Sequence, residues 1–264
     1  MSLPIEVIEA VRAGRCVLVL GSRASAEAAR LGGHEYPSAA ALARKLGWER
    51  PRRLMGSKTH PEMPSVEQGA AAFEAQHGRT SLVRELRGLV GTEGVTPSAA
   101  HRVAVERFPV VLSTAWDDLC ERAAQAGGRA LAVLRRGQDL PEPDGASRVL
   151  YKIRGGFDDP RSLVATARDH TERRMGAEIR RTLRRMLREG VVLFVGFRPD
   201  EEEFDRLWED LTDAYGGELP RCYLAVAQGP MSDFLWQKWV WRGLSLFTAD
   251  PVECLAEIEE RSGA

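Results

Sequence analysis

The strongest constraint on the fold is the alternation of short apolar segments with helical ones. Such strand–helix units return each strand parallel to the last, so we predict a mostly parallel sheet of six to seven strands with helices on both faces. The expected fold class is α/β and Rossmann-like. Strands are predicted at 16–20, 109–113, 130–134, 147–153, 191–196, 221–226 and 244–247, and helices at about 117–126, 168–188, 201–214, 231–241 and 251–260.

The segment between the first two strands departs from this alternation because its pattern is helical only. Four stretches there start at a Pro-Ser or Thr-Ser pair and repeat apolar residues about every 3.6 positions. They read PSAAALARKLGW, PSVEQGAAAFEAQHG, RTSLVRELRGLVG and PSAAHRVAVERF. We therefore expect a single domain over 1–264 that contains a helical insertion subdomain at 35–108.

Composition excludes several classes of protein. The net charge of −1 provides no overall attraction to nucleic acid or to an anionic membrane. No apolar run approaches the 18 or so residues of a membrane span, and the start lacks a signal-peptide core. The four cysteines are scattered without a CxxC pair, which predicts neither a zinc site nor a disulfide framework. The expected location is the cytoplasm.

Four loops follow predicted strands and would meet at one edge of the sheet, where open α/β folds bind ligands. After the first strand, a glycine and a helix start could cradle a phosphate, although an ordinary βα turn has the same pattern. Acidic residues at 200–202 are equally typical of a helix cap. The loops are Gly21-Ser22-Arg23-Ala24-Ser25, Ser113-Thr114-Ala115-Trp116-Asp117, Lys152-Ile153-Arg154-Gly155 and Gly196-Phe197-Arg198-Pro199-Asp200.

In this order the loops resemble the sirtuin-like domains of bacterial antiphage and conflict systems. Members read Gly-Ala-Gly-x-Ser, a helical insertion, Thr-Thr-Asn-Tyr-Asp, Lys-Leu-His-Gly, Thr-x-x-Asp-Tyr and Gly-Tyr-Ser-x-x-Asp. The resemblance implies NAD as ligand or substrate, cleavage of its nicotinamide–ribose bond, and no metal. Without the four-cysteine zinc module, protein deacetylation is not expected. The implied cofactor-binding residues are Gly21, Ser22, Arg23, Ser25, Thr114, Trp116, Gly155, Gly196, Phe197 and Asp200.

The implied catalytic positions are Ala115, Arg154 and Asp117, and two of them depart from the family. Ala115 stands where the family has the asparagine that orients ribose and water, and a methyl group cannot do this. Arg154 stands at the catalytic histidine, and an arginine is always protonated, so it cannot act as a base. Arg23 replaces a glycine near the dinucleotide, where it would crowd the ligand or pair with a phosphate.

Three interpretations follow. The first is a catalytically degenerate sirtuin-like domain of a bacterial immune system, with a nucleotide-binding or scaffold role, acting as a homo-oligomer or a subunit of a defence complex. The second is an NAD hydrolase silenced by an engineered Asn-to-Ala change at Ala115, with His170 a candidate replacement base. The third is an accessory subunit that binds nucleic acid through a basic helix with arginines at 173, 174, 180, 181, 184, 185 and 188.

Overall fold

The fold is built on one parallel sheet. The computed structural model of the chain describes residues 3–48, 65–135, 138, 148–172, 190–215, 220–227, 229 and 231–263. Every strand pairing in these residues is parallel, and the seven strands lie in the order β3-β4-β2-β1-β5-β6-β7. The strands are β1 (Cys16–Leu20), β2 (Val110–Ser113), β3 (Leu131–Arg135), β4 (Arg148–Lys152), β5 (Val191–Val195), β6 (Arg221–Val226) and β7 (Leu244–Thr248).

Eleven helices surround this sheet within the described residues. Several begin at the small polar residues that the sequence pattern indicated: Ser38, Ser65 and Ser232 each accept a hydrogen bond from a first-turn amide. The helices are α1 (Ile5–Arg12), α2 (Arg23–Leu31), α3 (Ala39–Lys45), α4 (Val66–His77), α5 (Arg79–Val90), α6 (Ala99–Arg107), α7 (Leu119–Ala126), α8 (Ala167–Glu172), α9 (Glu202–Tyr215), α10 (Asp233–Trp241) and α11 (Pro251–Ser262).

The predicted helix at 168–188 is described only as α8, and the seven arginines of the predicted basic helix lie outside the described residues. None of the helices in the described ranges combines the length and the apolar character needed to cross a membrane.

The two faces of the sheet carry separate cores, which explains the unbroken apolar strands. All five residues of β1 are buried, and successive side chains point to opposite faces. Leu18 and Leu20 pack in one core with α1, α6 and α11, whereas Val17 and Val19 pack in the other with α9 and α10. The predicted α/β, Rossmann-like class with helices on both faces is therefore confirmed, with seven strands and an entirely parallel sheet.

The strand order reverses next to β1, which fixes where a ligand can enter. Strands β2, β4 and β3 lie on one side of β1, and β5, β6 and β7 lie on the other. The helices that follow β1 and β5 lie against opposite faces of the sheet, and open α/β folds bind ligands at such a reversal. Backbone hydrogen bonds from Gly21 N to Val195 O (2.8 Å) and from Thr114 N to Leu20 O (3.1 Å) extend the sheet pairing to this edge.

Part of the predicted insertion packs over the same edge. Leu42 of α3 and Leu82 and Leu86 of α5 form a core with Trp116 and Phe157 from the loops after β2 and β4. By contrast, α6 packs onto the sheet face in the core that includes α1 and α11. The insertion thus contributes a lid of helices above the carboxyl edge, while its boundaries at 35–108 stay a prediction.

Candidate functional site

A cavity of about 520 Å³ opens at the carboxyl edge of the sheet, beside the start of α2 and below α3. We call it the main cavity. Its lining includes Tyr36, Glu201 and Glu203, which lie outside the four predicted loops, and Arg198 of the loop after β5. Of the predicted site residues, it is lined by Ser22, Arg23, Thr114, Ala115, Trp116 and Arg154.

A second cavity of about 330 Å³ lies on the β5–β6 side, and we call it the lateral cavity. Phe197 and Asp200, both predicted to bind the cofactor, line this cavity and not the main one. Arg23 and Arg198 line both cavities, so these two guanidinium groups stand at the border between them.

The predicted cofactor glycines lie outside both cavities in the described chain. A Cβ at Gly21 would stand 2.3 Å from Gly196 O, so the glycine permits the loops after β1 and β5 to touch. Gly196 has a φ of +83°, and its carbonyl accepts a hydrogen bond from Arg23 N (3.3 Å). Gly155 has a φ of +70° and packs on Ser162. All three glycines therefore permit a close backbone contact or a positive φ within the loops.

Ser25 and Asp117 are also buried beside the site and do not line it. Ser25 is 1% exposed within α2. Asp117 Oδ1 accepts a hydrogen bond from Leu119 N (3.1 Å), which fixes the start of α7. His101 lies close enough to sense the charge of Asp117, yet burial dominates and lowers the pKa of His101 to about 4. This histidine is therefore neutral and belongs to the packed interior.

The loop after β2 presents hydrocarbon and one hydroxyl to the main cavity. Ala115 offers a methyl group, and its amide donates to Ser113 Oγ (3.2 Å). Trp116 uses its only polar group inside the protein, since Nε1 donates to Val164 O (3.3 Å). Thr114 Oγ1 is buried and has no hydrogen-bond partner among the described residues. That hydroxyl is left to a ligand or a water molecule.

Arg154 is held between two carboxylates at the end of β4. It is 8% exposed, and its guanidinium nitrogens lie 3.4 Å from Glu67 Oε1 and 3.5 Å from Glu203 Oε1. Glu67 comes from α4 and Glu203 from α9, so one arginine joins three separate elements. A buried cation with two anionic partners stays charged, and this position cannot take up a proton.

Glu67 is the centre of a larger buried network. Its carboxylate contacts Arg206 of α9, and its Oε1 lies 3.0 Å from Nε2 of His170 on α8. Burial alone would raise the pKa of Glu67, but His170, Arg154 and Arg206 outweigh it and hold that pKa below its ordinary value. His170, the candidate replacement base, is therefore a partner of Glu67 and does not line either cavity in the described chain.

Glu201 lines the main cavity, and the pKa of its carboxyl group is raised. Burial, with the charge of Glu203 as the next cause, raises the pKa of Glu201 to about 7. The charges of Arg198 and Arg23 offset only part of this rise. Glu201 therefore exists in both protonation states near neutral pH, which is the property of a proton acceptor at a functional site.

The first prediction concerns this carboxyl. A carboxyl-carbon NMR titration is expected to show a midpoint near pH 7 that disappears in Glu201→Gln. The folded-state pKa of Glu201 lies above the ordinary 4.5. The contribution of Glu201 to the free energy of unfolding is therefore fully present below pH 4.5 and is lost as the pH rises through about 7. A midpoint below pH 5 would show that Glu201 is an ordinary surface carboxyl.

A parallel sheet with a cavity at the reversal of strand order defines a Rossmann-like domain. A family model described as a SIR2-like domain matches residues 109–242, from the start of β2 through α10. The chain belongs to the SIR2-like domain family, whose members bind NAD in general. No curated protein matches the chain. Among the described residues, no group of three or more His, Cys, Asp or Glu side chains could hold a metal ion.

Proposed function

We propose that this chain binds NAD or a related nucleotide in the main cavity and does not hydrolyse it. The observation that carries the proposal is Arg154, buried at the end of β4 between Glu67 and Glu203. The resemblance puts a catalytic histidine at that position, and a permanently protonated arginine cannot replace it. Ala115 supports the same conclusion because its methyl group cannot orient ribose or water.

Binding is supported by how well the two cavities suit a dinucleotide. NAD consists of two nucleoside halves joined by a diphosphate, and the main and lateral cavities are two spaces whose linings share Arg23 and Arg198. Guanidinium groups match phosphate oxygens in geometry and charge. The free Thr114 hydroxyl and the Ser22 hydroxyl supply further hydrogen bonds. When bound, NAD would supply the nicotinamide–ribose bond that hydrolases of the family cleave.

One observation favours the second candidate, a silenced NAD hydrolase. Glu201 lines the main cavity, and its pKa near 7 would let it accept a proton from water. In that case only the asparagine function would be missing, and restoring it at Ala115 would restore turnover. The two candidates therefore make opposite predictions for Ala115→Asn: the silenced hydrolase would turn over NAD, and the noncatalytic domain would not.

The role of such a domain follows from the resemblance to antiphage proteins. We propose that it serves a bacterial defence system as a nucleotide-binding or scaffold subunit, in a homo-oligomer or with partner proteins. Phage plaque counts on bacteria that carry the proposed defence system should rise when Arg23→Glu blocks the nucleotide site. They should stay unchanged with Ala115→Asn, since chemistry is not what the domain contributes.

The second prediction separates binding from turnover. Calorimetric titration with NAD and with ADP-ribose is expected to give saturable binding, weakened about ten-fold or more by Arg23→Glu because a phosphate contact is lost. Chromatography is expected to find no nicotinamide release above the blank, either for the chain or for Ala115→Asn. Release by Ala115→Asn that is lost in Ala115→Asn/Glu201→Gln would refute the noncatalytic domain and establish the silenced hydrolase.

A further inference from the structure

A separate cleft of about 510 Å³ lies between α5 and the loop after β4. We propose that it binds a small ligand carrying at least two phosphate groups. We call it the arginine cleft, since four of its lining residues are arginines and, in the described chain, no carboxylate lines it. The lining consists of Arg79, Thr80, Val83, Arg84, Arg87, Pro160 and Arg161.

The position of α5 gives this cleft a fixed wall. Leu82, Leu86 and Val90 are buried on one side of the helix and anchor it in the core above the sheet edge. The lining residues at 79, 80, 83, 84 and 87 recur at helical spacing and share the neighbouring face of the helix. The arginines are therefore presented together by a rigid element.

Two of the four arginines hold the walls of the cleft together. Arg79 donates to Asp169 Oδ2 (2.8 Å) and to Leu163 O (2.5 Å). Arg87 donates to the carbonyl of Phe157, and its guanidinium carbon lies 5.7 Å from the centre of that ring. Both cations tie α5 to the segment after β4, so the cleft exists before any ligand arrives.

The other two arginines, Arg84 and Arg161, have no ion-pair partner within the described ranges. Both are exposed, and they face the cleft from its two sides. Some exposed arginines elsewhere are paired locally, as Arg30 is with Glu27 and Arg168 with Glu172. On α5, the positions three and four residues from Arg84 hold no acid, so no such helical pair can form.

The chemistry of the lining selects the class of ligand. Arg79 is paired with Asp169 and Glu74, whereas the other three arginines have no acidic partner within the described ranges. Their guanidinium groups create a positive potential in a concave site, which concentrates multiply charged anions. Each free guanidinium can bind a phosphate in bidentate geometry, so two phosphates satisfy Arg84 and Arg161. Val83 and Pro160 provide an apolar floor suited to an attached ring. The described cleft and main cavity share no lining residue, so the two sites can be tested separately.

The experiment is a calorimetric titration of the full chain with inorganic tripolyphosphate at low salt. We expect one saturable site that is weakened about ten-fold or more in Arg84→Gln/Arg161→Gln, since two charge-assisted contacts are lost. Arg129→Gln, at an exposed arginine outside the cleft, is the matched control and should change the affinity by less than about two-fold. An unchanged urea midpoint shows that the double variant is folded.

Three results would overturn the proposal. One is the absence of tripolyphosphate binding. Another is binding that Arg23→Glu abolishes and the double variant leaves intact, because the anion would then occupy the main cavity. The third is binding of a single-stranded oligonucleotide without binding of tripolyphosphate, which would make the cleft part of an extended nucleic-acid surface. None of these results depends on whether NAD binds.

Discussion

Replacing Glu67 with glutamine is expected to lower the free energy of unfolding by about 3–5 kcal/mol, the range found when one partner of a buried ion pair is removed. Glu67 is 5% exposed, and its carboxylate faces Arg154, His170 and Arg206. Without the negative charge of Glu67, Arg154 keeps only Glu203 as an anionic partner. Urea denaturation at pH 7, followed by circular dichroism, measures the change.

The matched control is Glu202→Gln. Glu202 also pairs with Arg206, but it is 49% exposed, so its loss should change stability by less than about 1 kcal/mol. A partial rescue is expected from Glu67→Gln/Arg154→Met, because removing both charges leaves no buried cation unpaired. If Glu67→Gln proves as mild as the control, the network would be a set of weak surface pairs.

This network bears directly on the interpretation of the site. The resemblance predicts that Arg154 stands at the family's catalytic histidine position, and in the structure Arg154 joins α4 to α9 through Glu67 and Glu203. A histidine at 154 is too short to reach both carboxylates in the same way. We therefore expect Arg154→His alone to destabilise the fold rather than to create a catalytic base. In the proposed noncatalytic domain, loss of the family's chemistry and gain of a structural role are coupled at this one residue.

The sequence alone was sufficient for the architecture. Strands such as Cys16–Leu20 and Val191–Val195 are buried on both faces, so they form continuous apolar runs whose ends the pattern locates within one or two residues. The loops after β1, β2, β4 and β5 then follow, because the ends of parallel strands must share an edge. Residues Thr114, Ala115 and Arg154 do meet in the main cavity.

The partners within the site could not be predicted in the same way. Glu67 stands 87 positions before Arg154, and an acidic residue in the first turn of a capped helix is typical of helix ends. No local pattern distinguishes such a residue from the centre of a buried network. For Gly21 and Gly196, ligand contact stays a prediction, and the sequence gives no sign that the two backbones also contact each other. Long-range contacts decide both cases.

Trp239→Ala is expected to lower the free energy of unfolding by about 3–5 kcal/mol, as for other buried large-to-small changes. Trp239 is fully buried, with ring centres of Phe204 and Trp208 at 4.7 Å and 5.7 Å. Its Nε1 donates to Pro199 O (2.9 Å), so the change also leaves a buried carbonyl without its partner. Urea denaturation of the variant and the parent chain gives the difference.

Trp241→Ala in the same helix is the control, since Trp241 is 78% exposed and should cost less than about 0.5 kcal/mol. The hydrogen bond to Pro199 also ties α10 to the loop that carries Arg198, which borders both cavities. Trp239→Ala should therefore weaken NAD binding even under conditions where the variant remains folded. Full affinity in a folded Trp239→Ala chain would show that the loop is held by other contacts and that binding is independent of this core.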